Sequence, residues 1–197
     1  LDKTFQICKN TGIIQLKEFP SLDDMYLTPH NSTSYGSVWG NMFDIVSKKV
    51  NKLVNENNLK NVLEIGAGSM LLASKILENK DINKYIVYEK NSSEFHTNDE
   101  RLQLYKQYFT KETKITEDID IVIHSHVLEH TLRPVDFING IKKLKPKYHI
   151  IVVPNLHLQF KRKYTNSFNF EHNILITEPH IDVLLHNNNF EILDKQY

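Results

Sequence analysis

Four short apolar runs, with helical patterns between them, constrain the fold of this chain more than any other feature. They are Lys60 to Ile65 (KNVLEI), Tyr85 to Tyr88 (YIVY), Ile119 to Ile123 (IDIVI) and His149 to Val153 (HIIVV). Each is nearly continuous in apolar residues, as expected of a strand covered on both faces. Met70 to Leu77 and Pro134 to Leu144 read as helices between them, the second with Pro in its first turn. Strands alternating with helices predict an α/β fold with a mostly parallel sheet and helices on both faces. Right-handed crossovers make such a sheet doubly wound. It binds ligands beyond the carboxyl ends of its strands. The turns after Ile65, Tyr88, Ile123 and Val153 are therefore the places to look for chemistry.

The flanking regions are less regular. Val38, Met42, Ile45, Val50 and Leu53 recur at helical spacing and predict a helix over about Tyr35 to Asn55. The polar stretch up to Phe109 reads as helical, with a weak strand near Lys114-Ile115. Asn155 to Asn173 reads as a loop, Glu178 to His186 as a helix and Phe190 to Leu193 as a last strand. Ahead of residue 35, Pro20, Pro29 and Asn31-Ser32-Thr33-Ser34 punctuate the chain. Residues 1–34 are accordingly expected to be an irregular lid segment, with Ile13 to Leu16 as a candidate short strand, and 35–197 to be the domain proper. The chain starts at Leu1 and stops inside the last predicted strand, so the expectation is a parent protein that extends at both ends.

Composition excludes several classes. With 197 residues, 40% of them apolar and 24% charged, the chain suits one domain with a real core. Lys+Arg 24 balances Asp+Glu 24, so nothing draws the chain as a whole to nucleic acid or anionic lipid. A single cysteine, Cys8, makes neither an internal disulfide nor a thiolate zinc cage. No apolar run approaches the roughly 18–20 residues that span a bilayer, and nothing at the start reads as a secretory signal. The expectation is a cytoplasmic protein with a small-molecule substrate and with neither a nucleic-acid nor a membrane partner.

The turn after the first strand carries the strongest motif. It reads Glu64-Ile65-Gly66-Ala67-Gly68-Ser69-Met70, with two glycines that permit a tight turn and close approach of a ligand to the backbone. Glu89 ends the next strand, 21 residues after Gly68. An acidic side chain at about that spacing accepts hydrogen bonds from ribose hydroxyls. Together they indicate an adenosine-type ligand. A dinucleotide fingerprint requires a third glycine at position 71, where this chain has Leu71. Glu64 also disfavours a pyrophosphate and favours a ligand carrying positive charge.

Val62-Leu63-Glu64-Ile65-Gly66-Ala67-Gly68 resembles the first motif of class I S-adenosylmethionine-dependent methyltransferases, and Tyr88-Glu89 their second. His124-Ser125-His126-Val127-Leu128-Glu129-His130 is similar to the stretch that follows their fourth strand. The resemblance covers about residues 60 to 155. It implies a Rossmann-like fold, S-adenosyl-L-methionine as cofactor, Glu64, Gly66 and Gly68 near its methionine end, Glu89 on its ribose and His126 lining its reactive side. His124, His126 and His130 invite a metal reading, but the resemblance makes this segment cofactor lining. No metal is expected, and Glu129 reads as a helix-start residue.

A second, patchier resemblance concerns the acceptor. Cys8-Lys9-Asn10-Thr11-Gly12-Ile13-Ile14-Gln15-Leu16 is similar to the end of a small zinc module that precedes the core in sugar C-methyltransferases. Thr11 stands where that module has its second cysteine, so its metal site is lost or incomplete. The resemblance puts Tyr26, Ser32, Ser34 and Tyr35 in a lid, and sets Phe170-Glu171-His172 beside the sugar. It implies His172 as general base, Glu171 as its supporting carboxylate and Tyr35 as a substrate contact. Lys161-Arg162-Lys163, flanked by Phe160 and Tyr164, is a candidate phosphate-binding run. The short chain and lost module also resemble capsule-biosynthesis methyltransferases, some acting on sugars and some on a phosphoramidate. The expectation is O-methylation of a nucleotide-linked or phosphorylated precursor. The alternatives are sugar C-methylation, a nicotinamide-dependent oxidoreductase and a non-catalytic cofactor-binding subunit.

Overall fold

The computed structural model describes residues 4–19, 21, 36–91, 98–165, 167–168 and 171–197. Five parallel strands form the central sheet: β3 (Asn61–Ile65), β4 (Lys84–Tyr88), β5 (Leu102–Tyr105), β6 (Ile121–Ser125) and β7 (Tyr148–Val152). Their spatial order is β5-β4-β3-β6-β7. The order reverses direction between β3 and β6, and a crevice opens there at the carboxyl ends of the strands. The register aligns Ile65 with Tyr88 on one side and with His124 on the other. The turns after these strands therefore share one edge of the sheet. Asp120 pins the opposite edge, accepting hydrogen bonds from the backbone N–H groups of Lys60 (2.8 Å) and Asn61 (3.0 Å).

Successive strand residues point to opposite faces, and each face has its own core. Val62, Tyr85, Val87, Ile121 and Ile123 pack with Phe43, Val46, Val50 and Val54 of helix α1 (Ser37–Asn57) and with Leu72, Ala73 and Ile76 of α2 (Leu71–Leu77). Leu63, Ile65, Ile86, Tyr88 and Val122 pack on the other face. Their partners there include Phe137, Ile138 and Ile141 of α3 (Pro134–Lys143) and Leu185 of α5 (Glu178–Asn187). Fully burying one such side chain is worth roughly 1.5–3 kcal/mol. The doubly wound α/β expectation holds.

Several local expectations do not. The stretch ending at Phe109 is not helical over Leu102–Tyr105, which is β5, parallel to β4. Leu102 and Leu104 alternate with Gln103 and Tyr105, and the two leucines pack against the first core. No strand forms at Lys114-Ile115. Phe190 to Leu193 is not a strand either. Asn189 turns the chain in the left-handed region (φ 62°), and Phe190 packs its ring against His149 (5.3 Å between centroids). The loop expected from Asn155 contains a short helix, α4 (Leu156–Lys161), capped by the Asn155 side chain, which accepts from the Leu158 N–H.

The described part of the segment expected to be irregular holds regular structure. Within residues 1–34, β1 (Phe5–Ile7) and β2 (Ile14–Leu16) form an antiparallel hairpin. Its second strand pairs with β8 (Ile174–Leu175), making a separate small sheet. The turn between them needs Gly12 at φ +74°, and Cys8 lies exposed on it. Leu16 N–H donates to the Asn173 carbonyl at 2.9 Å, and His180 on α5 bonds the Thr11 carbonyl at 2.7 Å. The hairpin thus braces the segment that immediately follows His172. Tyr26, Ser32, Ser34 and Tyr35 lie outside the described residues. No described helix is long and apolar enough to cross a membrane.

Candidate active site

The glycine turn is built by close packing of two loops. Gly66 has φ +73° and donates its N–H to the Tyr88 carbonyl at 2.9 Å. A Cβ on Gly66 would run into a methyl of Val127, in the loop after β6. Gly68 (φ 53°) donates its N–H to Oε2 of Glu89 at 2.9 Å, and Asn91 donates to Oε1 at 2.8 Å. The Glu89 carboxylate is thereby fixed at the mouth of the turn. Each oxygen keeps a further lone pair for an incoming hydroxyl.

Glu64 lies beneath the turn, only 2% exposed, and accepts a hydrogen bond from the Tyr85 hydroxyl at 2.7 Å. Burial pushes its carboxyl up to about 7; the Tyr85 bond opposes the rise and the Glu89 charge adds to it. A positively charged ligand above it would favour the ionised form. Leu71, at the third-glycine position of a dinucleotide fingerprint, starts α2 and is 39% exposed.

The loop after β6 separates the histidines that the sequence places together. His124 is fully buried inside β6, its ring edge-on to Phe137 (5.1 Å) and tilted against His149 (5.0 Å). Neither of its ring nitrogens has a hydrogen-bond partner among the described residues. Burial holds His124 well below the usual imidazole range and pushes His149 down to about 3, so both are neutral packing groups. His124 is therefore not part of the site.

His126 adopts φ 53°, which swings the chain out beyond the sheet edge, while its N–H still bonds the Val152 carbonyl at 2.9 Å. Its Nδ1 lies 3.1 Å from Oε1 of Glu129, and its ring stacks obliquely on Trp39 of α1 (4.6 Å). Glu129 does not start a long helix: it sits in a single 3₁₀ turn (Leu128–His130), 2% exposed. Its Oε2 is buried without a hydrogen-bond partner among the described residues.

His172 arrives from far along the chain. Its Nδ1 lies 2.9 Å from the Ser167 carbonyl, which can only accept, so Nδ1 is the nitrogen that carries the proton in the neutral ring. The His172 and His130 rings lie 5.0 Å apart, edge to face. One ligand-type atom from each of Glu129, His130 and His172 lies within 4.8 Å of the other two. Burial pushes His130 down to about 4, with the Glu129 charge opposing. The Glu171 backbone bonds His130, and Asn173 Nδ2 donates to the His130 carbonyl. Lys161 ends α4 and Arg162 follows it, both exposed. Sequence reasoning passed over Trp39 and gave Glu129 and His130 no role in the site. The signals for the first two were the lone tryptophan of the chain, set at the start of an amphipathic helix, and an acidic residue three after His126.

Comparison with known proteins fits this geometry. A family profile described as a methyltransferase domain matches residues 38–195. The chain belongs to this family, and it is a class I S-adenosylmethionine-dependent methyltransferase. The methyltransferase domain of bacterial CtHen1-CN superposes with TM-score 0.56 at 18% identity, over 72% of this chain and 81% of that one. Burkholderia thailandensis 1,6-didemethyltoxoflavin-N1-methyltransferase, solved with bound 1,6-didemethyltoxoflavin and S-adenosylhomocysteine, superposes with TM-score 0.59 at 13% identity, over 100% of this chain and 91% of that one. No curated protein matches the sequence closely enough to count. The nicotinamide alternative is set aside with the family assignment.

The residues present fit the cofactor. The turn at Gly66 leaves no room for a side chain, Glu89 is held at its mouth, and the Glu64 carboxylate lies below. Glu89→Ala is expected to weaken S-adenosylhomocysteine binding by roughly 1.5–3 kcal/mol, the worth of charge-assisted hydrogen bonds. Calorimetry checks this; unchanged affinity would remove Glu89 from the ribose.

Glu64 yields a pH prediction. Its folded pKa of about 7 exceeds the ordinary 4.5, so the unfolded chain releases this proton first. The group's contribution to stability is full below pH 4.5 and falls by about 3 kcal/mol as the pH climbs through 7. Glu64→Gln is expected to remove that fall, gaining on the parent chain between pH 5 and 8 in urea unfolding while binding cofactor less well. A pH-independent difference between the two would contradict the assignment.

Proposed function

We propose that this methyltransferase acts on a hydroxyl of a small polar acceptor, a nucleotide-linked or phosphorylated precursor of a surface polysaccharide. The observation that carries this reading is the cluster of Glu129 and His130, from the loop after β6 that packs on Gly66, with His172, from the segment before β8. When bound, S-adenosylmethionine supplies a methyl group that needs no activation by the enzyme. The chain's own task is to align the acceptor and draw the proton from its oxygen. His172, oriented by the Ser167 carbonyl, presents Nε2 for that purpose. Glu129 supplies a carboxylate within 4.8 Å, and His126 holds that carboxylate in place. In this reading Glu171 acts through its backbone, which steadies His130, as well as through the carboxylate that the sequence resemblance assigns to it. Lys161 and Arg162 offer exposed cations for a phosphate, and Tyr35 remains the proposed lid contact.

The similar enzyme named as a 1,6-didemethyltoxoflavin N1-methyltransferase supports a small-molecule acceptor. The direct test incubates the protein with methyl-labelled S-adenosylmethionine and a panel of sugar phosphates, nucleotide-linked sugars and phosphoramidates. A labelled O-methyl product is expected. Transfer only to carbon or nitrogen acceptors would overturn the hydroxyl assignment.

A further inference from the structure

We propose that Glu129, His130 and His172 hold a divalent transition-metal cation, and that its open coordination positions take the acceptor's hydroxyl. The inference rests on the hydroxyl-acceptor reading above and gives the cluster a specific means of drawing off the proton. Several independent observations converge on it. One carboxylate oxygen and two imidazoles approach within 4.8 Å of one another. Ligands at about 2.1 Å from one ion stand at most about 4.2 Å apart, so a small inward movement completes the site. Glu129 is 2% exposed with Oε2 unpartnered among the described residues, which is costly for a buried carboxylate unless a cation completes it.

The surroundings are those of ligands held in advance. The Ser167 carbonyl fixes the His172 tautomer so that Nε2 points its lone pair away from that bond, and His126 fixes the other oxygen of Glu129. Metal-binding imidazoles and carboxylates are oriented by such partners. The Ser167 hydroxyl is tied in turn to Gln159 of α4, and β8, braced by the N-terminal hairpin, follows His172 directly. Two nitrogens and one carboxylate oxygen suit Mn²⁺, Fe²⁺, Co²⁺ or Zn²⁺ better than Ca²⁺ or Mg²⁺, which favour all-oxygen shells. A cation there lowers the pKa of an oxygen bound to it, so the hydroxyl gives its proton to solvent water more readily near neutral pH. The oxygen's freed electron pair attacks the methyl carbon as the bond from that carbon to the cofactor's sulfur breaks. This site differs from the His124, His126 and His130 grouping that the sequence suggests. His124 lies inside the sheet, and the third ligand comes from the segment before β8.

The test titrates metal-stripped protein with Co²⁺, followed by its visible absorption, and with Mn²⁺, followed by electron paramagnetic resonance. One equivalent is expected to bind, and Glu129→Gln and His172→Asn are each expected to weaken it on the order of 100-fold or more. Circular dichroism and S-adenosylhomocysteine calorimetry on the same samples report folding and cofactor binding separately. If Glu129→Gln fails to fold, His172→Asn, at a less buried position, carries the comparison. No saturable binding of either ion, or equal binding by parent and variants, would overturn the metal site while leaving the methyltransferase reading intact. Failure of all samples to bind S-adenosylhomocysteine would count against the latter instead.

Discussion

His172→Asn is expected to lower kcat by about 10²–10⁴ while leaving S-adenosylhomocysteine affinity unchanged, the range for losing a positioned acid–base group. The effect is large because Nε2 is the ring nitrogen given this task, whether it takes the acceptor's proton itself or ligates a cation that makes the acceptor's hydroxyl more acidic. Nδ1 is already committed to the Ser167 carbonyl at 2.9 Å. Asn reproduces that bond but has no ring nitrogen to replace Nε2. The cofactor half of the site lies at Gly66, Gly68 and Glu89 on β3 and β4, so its affinity has no reason to change. Steady-state rates with a saturating acceptor, paired with calorimetry, separate the two. A fully active variant would return His172 to a structural role beside β8.

Gly66→Ala is expected to cost about 2–5 kcal/mol of stability and to abolish measurable cofactor binding. Two causes add. A left-handed φ of +73° costs an alanine roughly 1–2 kcal/mol. The new methyl group also meets Val127, and forcing extra volume into a packed contact costs typically ~1–3 kcal/mol. The second part is separable, because Val127→Ala in the Gly66→Ala background removes the clash and leaves the φ penalty. Partial recovery of the urea midpoint in the double variant is the expected result. Equal midpoints for the single and double variants would show that the two loops do not press on each other there.

The sheet was legible because burial on both faces writes itself into sequence as unbroken apolar runs, and β3, β4, β6 and β7 all carry one. β5 was missed because an edge strand of four residues, with Gln103 and Tyr105 between its leucines, looks polar over any helical window. Phe190 misled in the opposite direction, since one aromatic docking on His149 gives the same local signal as a short strand. The N-terminal hairpin has its partner, β8, about 160 residues away, and no local pattern announces such a pairing.

The site divides along the same line. The Gly66, Gly68 and Glu89 arrangement follows from one strand–turn–helix unit and the next strand, so spacing alone finds it. The acceptor side is assembled from the loop after β6 and the segment before β8. Close neighbours there part company: His124 stays in the strand, while the positive φ at His126 turns the chain off the strand and into the 3₁₀ turn that carries Glu129 and His130. Sequence order could not reveal that Glu129 would turn inward to meet His172.

Calorimetric titration of the purified chain with S-adenosylhomocysteine, run beside a titration with NAD, decides which cofactor the Gly66 turn and Glu89 hold. One-to-one binding of S-adenosylhomocysteine in the micromolar range, weakened in Glu89→Ala, is expected, with no binding of NAD. Binding of NAD alone, or S-adenosylhomocysteine binding that is indifferent to Glu89, would contradict this assignment.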